Sequence, residues 1–473
     1  MALNVACTLE VRTTGSDNNG GGFKTGATGT NRSLQDAAQA SLTTLSVVNA
    51  TTTKVTISLT DYTVVAADVG NMLQVTGGTA TAGFYEITAV DTVANTWTVD
   101  RSLGTAGQTV VGAMGGALAT IGKATAAATT GDMLIWVKAT ATYAITATVT
   151  MPTAAGSQYN FRVFGYTTTR GDLGRPTVQV SSGAIAIFTA SSNNGLHAEN
   201  FILDANSVAG TSGISVPGNR CFFGNIKVMN CANEGVVGGG GNILLSQCEV
   251  TACGGTTAAV SLTAVGNIHD CWIHDNTKSG VNVTGGSDAV VGCLITNNTG
   301  ASSNGIVGLL WGTFRGNTIY GNGRDGIRLG NTAASRGCFC SNNILAKNGG
   351  YGINVLTALG GGPAATTLSH FHHNATWSNT SGAYNNMTAG VGDVNISGTD
   401  PTNDPFTAKA TNDFTLNSTA GAGALLRSAG FPGTMPGLAS FTGYNDIGVY
   451  RHQDPAGGGG LLVHPGMTGG LHG

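Results

Sequence analysis

Charge is scarce in this chain: only 10% of its 473 residues are Asp, Glu, Lys or Arg, and prolines number just 10. Disordered chains are rich in both, so this is not a disordered profile. Glycine reaches 74 residues but without the every-third-residue period of collagen, which excludes a triple helix. No apolar stretch approaches the roughly 18 residues that a spanning helix needs, so no membrane is expected as a partner. Basic runs are also missing, and the net charge is −3. Phosphate backbones require clustered Lys and Arg, which argues against nucleic acid as a partner. The N-terminal Met1–Glu10 lacks both a positive n-region and a long h-region, which predicts synthesis in a cytoplasm without export through a signal peptide.

Cysteine is present, but not in patterns that imply chemistry. The nine cysteines stand at 7, 221, 231, 248, 253, 271, 293, 338 and 340. The number is odd and no pair has Cys-x-x-Cys spacing, so the sequence predicts buried free thiols rather than disulfides or metal ligands.

What the chain does have is Gly, Asn, Thr and Ser around short Val/Ile runs, the composition of many short strands joined by tight turns. Five segments align: Gln247–Cys253, Asp270–Asn276, Gly292–Asn298, Gly316–Asn322 and Asn342–Asn348. Their aliphatic anchors are Val250, Ile273, Ile295, Ile319 and Leu345, with Val228 one turn earlier, giving steps of 22–26 residues. Two positions before the anchor stand Ile226, Cys248, Cys271, Cys293, Asn317 and Asn343. Three positions after it stand Cys231, Cys253, Asn276, Asn298, Asn322 and Asn348. A second short strand follows each unit, as in Gly280–Val283, Gly305–Val307, Gly326–Leu329 and Gly352–Val355.

One such unit cannot bury its apolar side alone, whereas stacked units bury a continuous core and pair their strands about 4.8 Å apart. The pattern therefore predicts a right-handed parallel β-helix, an all-β solenoid, with the cysteines stacked inward. The corner asparagines are expected to adopt the left-handed conformation and to hydrogen-bond their own kind in the next coil. Leucine-rich and calcium-binding nonapeptide repeats fit worse, because neither signature is present.

The segment Leu118–Ala128 is made of helix formers and would cap the first coil, and Gly131–Lys138 then reads as a turn and an apolar strand. This order resembles the pectate-lyase-like β-helix superfamily. Phe201–Asp204 reads as an early coil and Asn374–Asn379 as a late one. Asp404–Phe406, Asp413–Leu416 and Asp446–Tyr450 resemble the closing segment of such proteins. The resemblance spans about 117–451 and implies a fold, not an activity.

Residues 1–115 lack the repeat. Val55–Leu59, Met72–Val75, Phe84–Ile87 and Thr96–Val99 read as strands around turns such as Gly77-Gly78, and Ser33–Ser41 as the start of a short helix. The expected organisation is an N-terminal β domain over 1–115, a parallel β-helix over 116–400, a closing segment over 401–455 and a Gly-rich mobile tail over 456–473. The opening Val11–Phe23, then Gln35–Gln39 and the strand-rich Val69–Ala117, resemble the N-terminus of a β-helix family encoded by tailed bacteriophages. That resemblance implies a virion protein, commonly a homotrimer.

Candidate chemistry is sparse. Polysaccharide hydrolases need one protonated and one ionised carboxyl group, yet the carboxylates here form no column. His269, Asp270, His274 and Asp275 make the best local acid/base cluster, with solvated corners as the plainer reading. Arg324, Asp325 and Arg328 read first as a surface ion-pair group. In the run His370-Phe371-His372-His373, the two histidines two apart, His370 and His372, point to one side of a strand and suit a divalent ion, but no third ligand is evident. In a symmetric trimer the same histidines of three copies would meet around the axis. Glycosylation-like matches at Asn282, Asn297, Asn374 and Asn386 are expected by chance in so Asn- and Thr-rich a chain. The sequence thus names no catalytic residue, no resident metal and no cofactor. It favours a structural protein on the exterior of a tailed-phage virion, either head decoration or tail spike or fibre, held to other virion proteins by its N-terminal domain and contacting host glycans. A tail-spike depolymerase is the alternative, and a secreted lyase or adhesin ranks third.

Overall fold

The computed structural model describes residues 3, 6–128, 133–151, 161–190, 195–218, 220–310, 312–330, 338–356, 370–398, 401–419, 421–427, 429–430 and 446–449. The predicted Gly131-Asp132 turn, Tyr450 and the Gly-rich tail lie outside the described residues. The chain divides into two compact units, one of residues 1–204 and 217–222, the other of 205–216 and 223–473.

The first unit holds a closed antiparallel barrel of Ala40–Val48, Lys54–Thr56, Thr96–Val99, Gly83–Asp91, Met72–Gly78 and Thr109–Met114, in that spatial order. Alternating residues such as Leu42, Val55, Tyr85, Ile87 and Trp97 fill its own core. Buried Asp68 organises one side, accepting from Trp97 Nε1 at 3.1 Å and from the Tyr62 hydroxyl at 2.9 Å. Gly77-Gly78 is not a hairpin turn: the register shifts between Val75 and Gly77, and Gly78 (φ +88°) ends a bulged strand. The helix expected from Ser33 is a single 3₁₀ turn over Arg32–Leu34. The Arg32 carbonyl and that of Gln35 after the turn are instead taken up just past the barrel's last strand, by Gly116 N–H and Ala117 N–H respectively.

The first unit's remaining strands form coils. Cys7–Val11, which the sequence places in the N-terminal domain, lies parallel to Leu134–Lys138, which in turn pairs with Phe161–Tyr166, and that with Leu196–Glu199. The N-terminal strand is therefore a rung of the solenoid, and the barrel enters as an insertion after it. The expected helix is present at Ile121–Ala127, capped by the Thr120 hydroxyl. Asp17 fixes this start by accepting from the N–H groups of Ala119 and Thr120 and from the Thr120 hydroxyl.

In the second unit the coils between Ile243 and Asn385 have three strands each. One runs Ile243–Ser246, Glu249–Thr251 and Ala258–Leu262; the next runs Gly266–His269, Trp272–His274 and Ser279–Gly286. Like strands stack in register to form three parallel sheets: Leu245 over Ile268, Val250 over Ile273, and Val260 over Val281. The strands seen in the sequence are those of the second and third sheets.

The interior between the sheets is polar in two lines. Asn276 Nδ2 donates to Asn298 Oδ1 at 2.8 Å, Asn298 to Asn322 at 2.8 Å, Asn322 to Asn348 at 3.0 Å and Asn348 to Asn379 at 2.9 Å. A parallel line runs Asn317, Asn343, Asn374, with both amide-to-amide bonds at 2.9 Å. Each of these amides also donates to a backbone carbonyl of the preceding coil, as Asn298 does to Ile273, so no buried group is wasted. Earlier coils place cysteine at the same positions, and all nine cysteines are buried thiols outside any disulfide. The first line begins where Asn276 Oδ1 accepts from Cys253 N–H, and the second where Asn317 Oδ1 accepts from Cys293 N–H.

The left-handed corner is one residue earlier than expected. Positive φ belongs to Gln247, Asp270, Asn342 and His373 before one line, and to Ala252, Asp275, Asn297, Lys347 and Ser378 before the other. A corner turned by the preceding residue leaves the ladder asparagine free to aim its amide along the stack.

The closing segment does not simply end the solenoid. Strands Phe406–Ala408 and Asp413–Leu416 form a hairpin, and Phe406, Phe414, Leu416, Leu426 and Ile447 pack on the outer side of the second sheet against Leu294, Ile344, Ala346, Trp377 and Ile396. Gly448 N–H then donates to the Asn342 carbonyl, and Val449 N–H to the Thr318 hydroxyl.

Truncating one ladder amide strands its neighbours. Asn298→Ala leaves Asn276 Nδ2 without its acceptor and the Ile273 carbonyl without that donor. It should lower stability by about 3 kcal/mol in urea unfolding, and a loss below about 1 kcal/mol would show the ladder to be energetically idle.

Candidate functional site

The two ends of the predicted acid/base cluster do not converge. His269 faces outward at the end of a first-sheet strand, and Asp270 turns the corner after it. His274 ends the second-sheet strand, and Asp275 turns the next corner. Five residues of extended chain separate the two aspartates by roughly 15 Å, beyond the 5–9.5 Å or so that paired carboxylates span in glycoside hydrolysis. Burial lowers the pKa of His269, with Asp270 opposing.

His274 has built a different cluster. Its Nδ1 lies 2.7 Å from Asp275 Oδ2 and its Nε2 3.3 Å from Glu249 Oε1, while Lys227 Nζ is 2.9 Å from the same Glu249 oxygen. Trp272 stacks on the imidazole, with centroids 3.7 Å apart. Burial raises the Glu249 pKa, but His274 and Lys227 outweigh it and hold the carboxyl below the ordinary glutamate value. The contacts with His274 and Lys227 thus favour the ionised form of Glu249. It entered no reading of the sequence because it sits one coil from His274, twenty-five residues away.

Asp325 is no solvated ion-pair partner. It is buried, accepting from Tyr351 N–H at 2.9 Å and Asn354 Nδ2 at 2.7 Å in the next coil, while Arg324 Nε stays 3.8 Å away. Arg328 stands on the third sheet between Val307 and Asn354. His370 and His372 do share a first-sheet strand, and His372 Nδ1 is 3.2 Å from His373 Nδ1. Among the described residues no group of three His, Cys, Asp or Glu is arranged to hold a metal ion. Asn374 is fully buried in the ladder and cannot be a glycan acceptor, whereas Asn297 and Asn386 turn corners and Asn282 faces out from the third sheet.

Among the described carboxyl groups with a resolved shift, one is raised: Asp288, pushed up by burial to about 6, with Gly266 N–H opposing through a 2.8 Å bond. A shifted acid is a functional-site signal, but the buried Asp288 carboxylate is already taken up by Gly266 N–H and the signal here is one of burial.

The first unit carries a feature that no sequence motif announced. On the outer side of its first sheet, half-buried Trp136 lies 5.3 Å from Phe164, which is 5.0 Å from His197, which is 4.6 Å from Phe222. These residues lie on successive coils, in register rows Glu10–Trp136–Phe164–Glu199 and Leu134–Arg162–His197. His197 bonds Glu199 at 2.7 Å. At one end Arg170 stands over Trp136, 5.9 Å from the ring centre, and meets buried Glu10 with Nη2 at 2.6 Å and Nε at 3.1 Å. Arg12 Nε and the Tyr166 hydroxyl donate to the same carboxylate. The loop bearing Arg170 is folded around Asp172, whose carboxylate accepts from the N–H groups of Thr167, Thr168, Thr169 and Gly174 and is thereby held well below the usual carboxylate range. The result is a preorganised outward strip of aromatic faces flanked by fixed charges. A separate open cavity of about 500 Å³ is lined by Gln74, Thr76, Phe84 and Lys123, among others.

This architecture is that of a right-handed parallel β-helix protein with a small N-terminal β barrel. Residues 177–312 match the family model for the right handed beta helix region. No curated protein matches the sequence. Among solved structures, the pectate lyase Pel9A is similar over 72% of this chain and 92% of its own, at 15% identity and TM-score 0.47. ORF18 of Geobacillus virus E2 is similar over 58% of this chain and 56% of its own, at 14% identity and TM-score 0.40. The tailspike protein gp49 of Pseudomonas phage LKA1 is similar over 78% of this chain and 67% of its own, at 12% identity and TM-score 0.21.

Asp288 gives a signed pH prediction. Its folded pKa lies above the unfolded value of 3.8, so ionisation opposes folding as pH rises from there through about 6. Asp288→Asn keeps an acceptor for Gly266 and should raise the unfolding temperature at about pH 7.5, with the gain vanishing near pH 4. An equal gain at both values would rule this account out.

Proposed function

We propose that this chain is a structural protein on the exterior of a tailed-bacteriophage virion, where the β-helix contacts host-surface glycan. The observation that carries the reading is the outward strip of Trp136, Phe164, His197 and Phe222. Pyranose rings present apolar C–H faces and polar edges, and a row of half-buried aromatic faces beside fixed Arg and Glu side chains suits both. The N-terminal resemblance to phage-encoded proteins supports the virion setting. The barrel would be the attachment module: exposed Leu45 (66%) and Leu59 (71%) lie on facing segments, bridged beside them by the Thr44 and Thr60 hydroxyls at 3.1 Å. Three copies around an axis are part of this proposal, as is a site on the head or on a tail spike or fibre.

A second reading, a glycan-cleaving tail spike, is favoured by one observation, the Glu249–His274–Asp275 contact set. It predicts release of oligosaccharides that Glu249→Gln abolishes.

Two measurements test the first reading. Antibody labelling should place the protein on the outside of purified particles, and its absence from them would overturn the virion role. The Trp136→Ala, Phe164→Ala double variant should bind host surface polysaccharide at least roughly tenfold more weakly, with its thermal unfolding little changed. Undiminished binding would remove the strip from the site.

A further inference from the structure

The first sheet of the second unit carries outward rows whose members come from successive coils. One row runs His269, Val291, Arg315, Ser341, His372, each paired in register with the next. Among the described residues, three polar atoms in the middle of it are buried without a hydrogen-bond partner: Arg315 Nε, Arg315 Nη2 and Ser341 Oγ. Ser341 has no exposed surface at all. An orphaned buried donor costs about 1–3 kcal/mol, and more when charged, so neighbouring orphans on consecutive rungs call for an explanation. The surroundings say what kind of ligand would satisfy them. All three atoms can donate, and the next rung brings His372, whose protonated form is disfavoured by burial and then by His373, with Arg315 and His370 adding to the effect and Asp393 opposing it. Asp393, the one carboxylate among the groups acting on His372, already accepts from Asn374 N–H, the Tyr384 hydroxyl and Gly390 N–H. Beside the row, Phe339 presents its ring edge-to-face to His372, with centroids 4.9 Å apart.

We infer that Arg315, Ser341 and His372 form an oxyanion-binding site on the first sheet, which takes a phosphate, sulfate or carboxylate group of a ligand lying across Phe339. A guanidinium offers paired donors matched to two oxygens of such a group, and the serine hydroxyl supplies a third. Bound negative charge also favours the proton on His372, so affinity rises as pH falls through the histidine range. The inference stands on orphaned donors in the second unit and does not depend on the aromatic strip of the first.

The test is calorimetric titration of the full chain with inorganic phosphate, sulfate and glucuronate, repeated for Arg315→Gln and Ser341→Ala. Saturable binding of at least one anion is expected, strengthening from about pH 8 to about pH 6. Arg315→Gln should weaken it at least roughly tenfold and Ser341→Ala severalfold, as when hydrogen bonds to a charged group are lost. Ser341→Ala removes only an unpartnered atom, so its unfolding temperature should not fall, which keeps the test valid even if Arg315→Gln folds poorly. Preference for glucuronate would assign the site to acidic sugars, and preference for phosphate or sulfate to esterified ones. No saturable binding of any of the three, or binding that Ser341→Ala leaves unchanged, would overturn the proposal.

Discussion

Everything in the second unit depends on satisfying polar groups at the corners of a solenoid whose interior excludes water. Three sheets per coil require sharp turns, and a sharp turn leaves N–H and C=O groups that the sheet ladders cannot reach. The stacked asparagines solve this coil by coil: one amide accepts from the N–H of the coil before it and donates both to a carbonyl there and to the next asparagine. Such a chain is self-templating. Its register is set by the amides as well as by the apolar residues, because a slip of one residue would point each amide at the wrong sheet. Cysteine can hold the same place in Cys248, Cys271 and Cys293, where a thiol leans on a nearby carbonyl and fills similar space.

That internal order decides what the outer surfaces can do. Strands of three to five residues show one or two side chains outward, and those line up with their counterparts every 19–31 residues along the chain. On the second sheet the two outward rows become largely apolar, one through Leu294, Ile344 and Ala375 and the other through Tyr320, Ala346 and Trp377, and the chain's own closing segment covers them. A large exposed apolar row would invite association, so the hairpin of Phe406 and Phe414 is as much part of this fold as the coils. The first sheet of this unit keeps polar and aromatic outward rows instead, and the site inferred at Arg315 lies on its strands.

The sequence revealed what repeats strongly. The anchors Val250 to Leu345, the cysteine positions and the stacked asparagines were all legible, because each recurs at a fixed offset and has one dominant physical cause. The first-sheet strands were not. A strand such as Ala289–Val291 or Thr313–Arg315 carries a single inward residue, Val290 or Phe314, too little for a period of two to register. The row through Arg315 stands on those strands and was missed with them, whereas the strand of Trp136 was read within Gly131–Lys138 but its stack with Phe164, His197 and Phe222 was not. The rung formed by Cys7–Val11 was hidden for a different reason: it pairs antiparallel with Gly22–Lys24 across a glycine-rich loop, and its solenoid partner is more than a hundred residues away.

Asp270 and Asp275 show why sequence neighbours mislead on this fold. Proximity along the chain suggested one cluster, yet a strand runs between them and both are fixed in left-handed corners, a conformation that Asp and Asn tolerate because their side chains bond locally. Groups that do meet come from different coils, as Lys227, Glu249 and His274 do, or Glu10, Tyr166 and Arg170. Where the contributing residues share a register row, the site has a signature that can be sought without a structure: polar or aromatic residues at one outward offset from the ladder, repeated over two or three consecutive coils. Arg315, Ser341 and His372 satisfy it, standing two residues before Asn317, Asn343 and Asn374. A site on a solenoid is written down the stack, and the ladder residue supplies the reference from which each contributing side chain is counted.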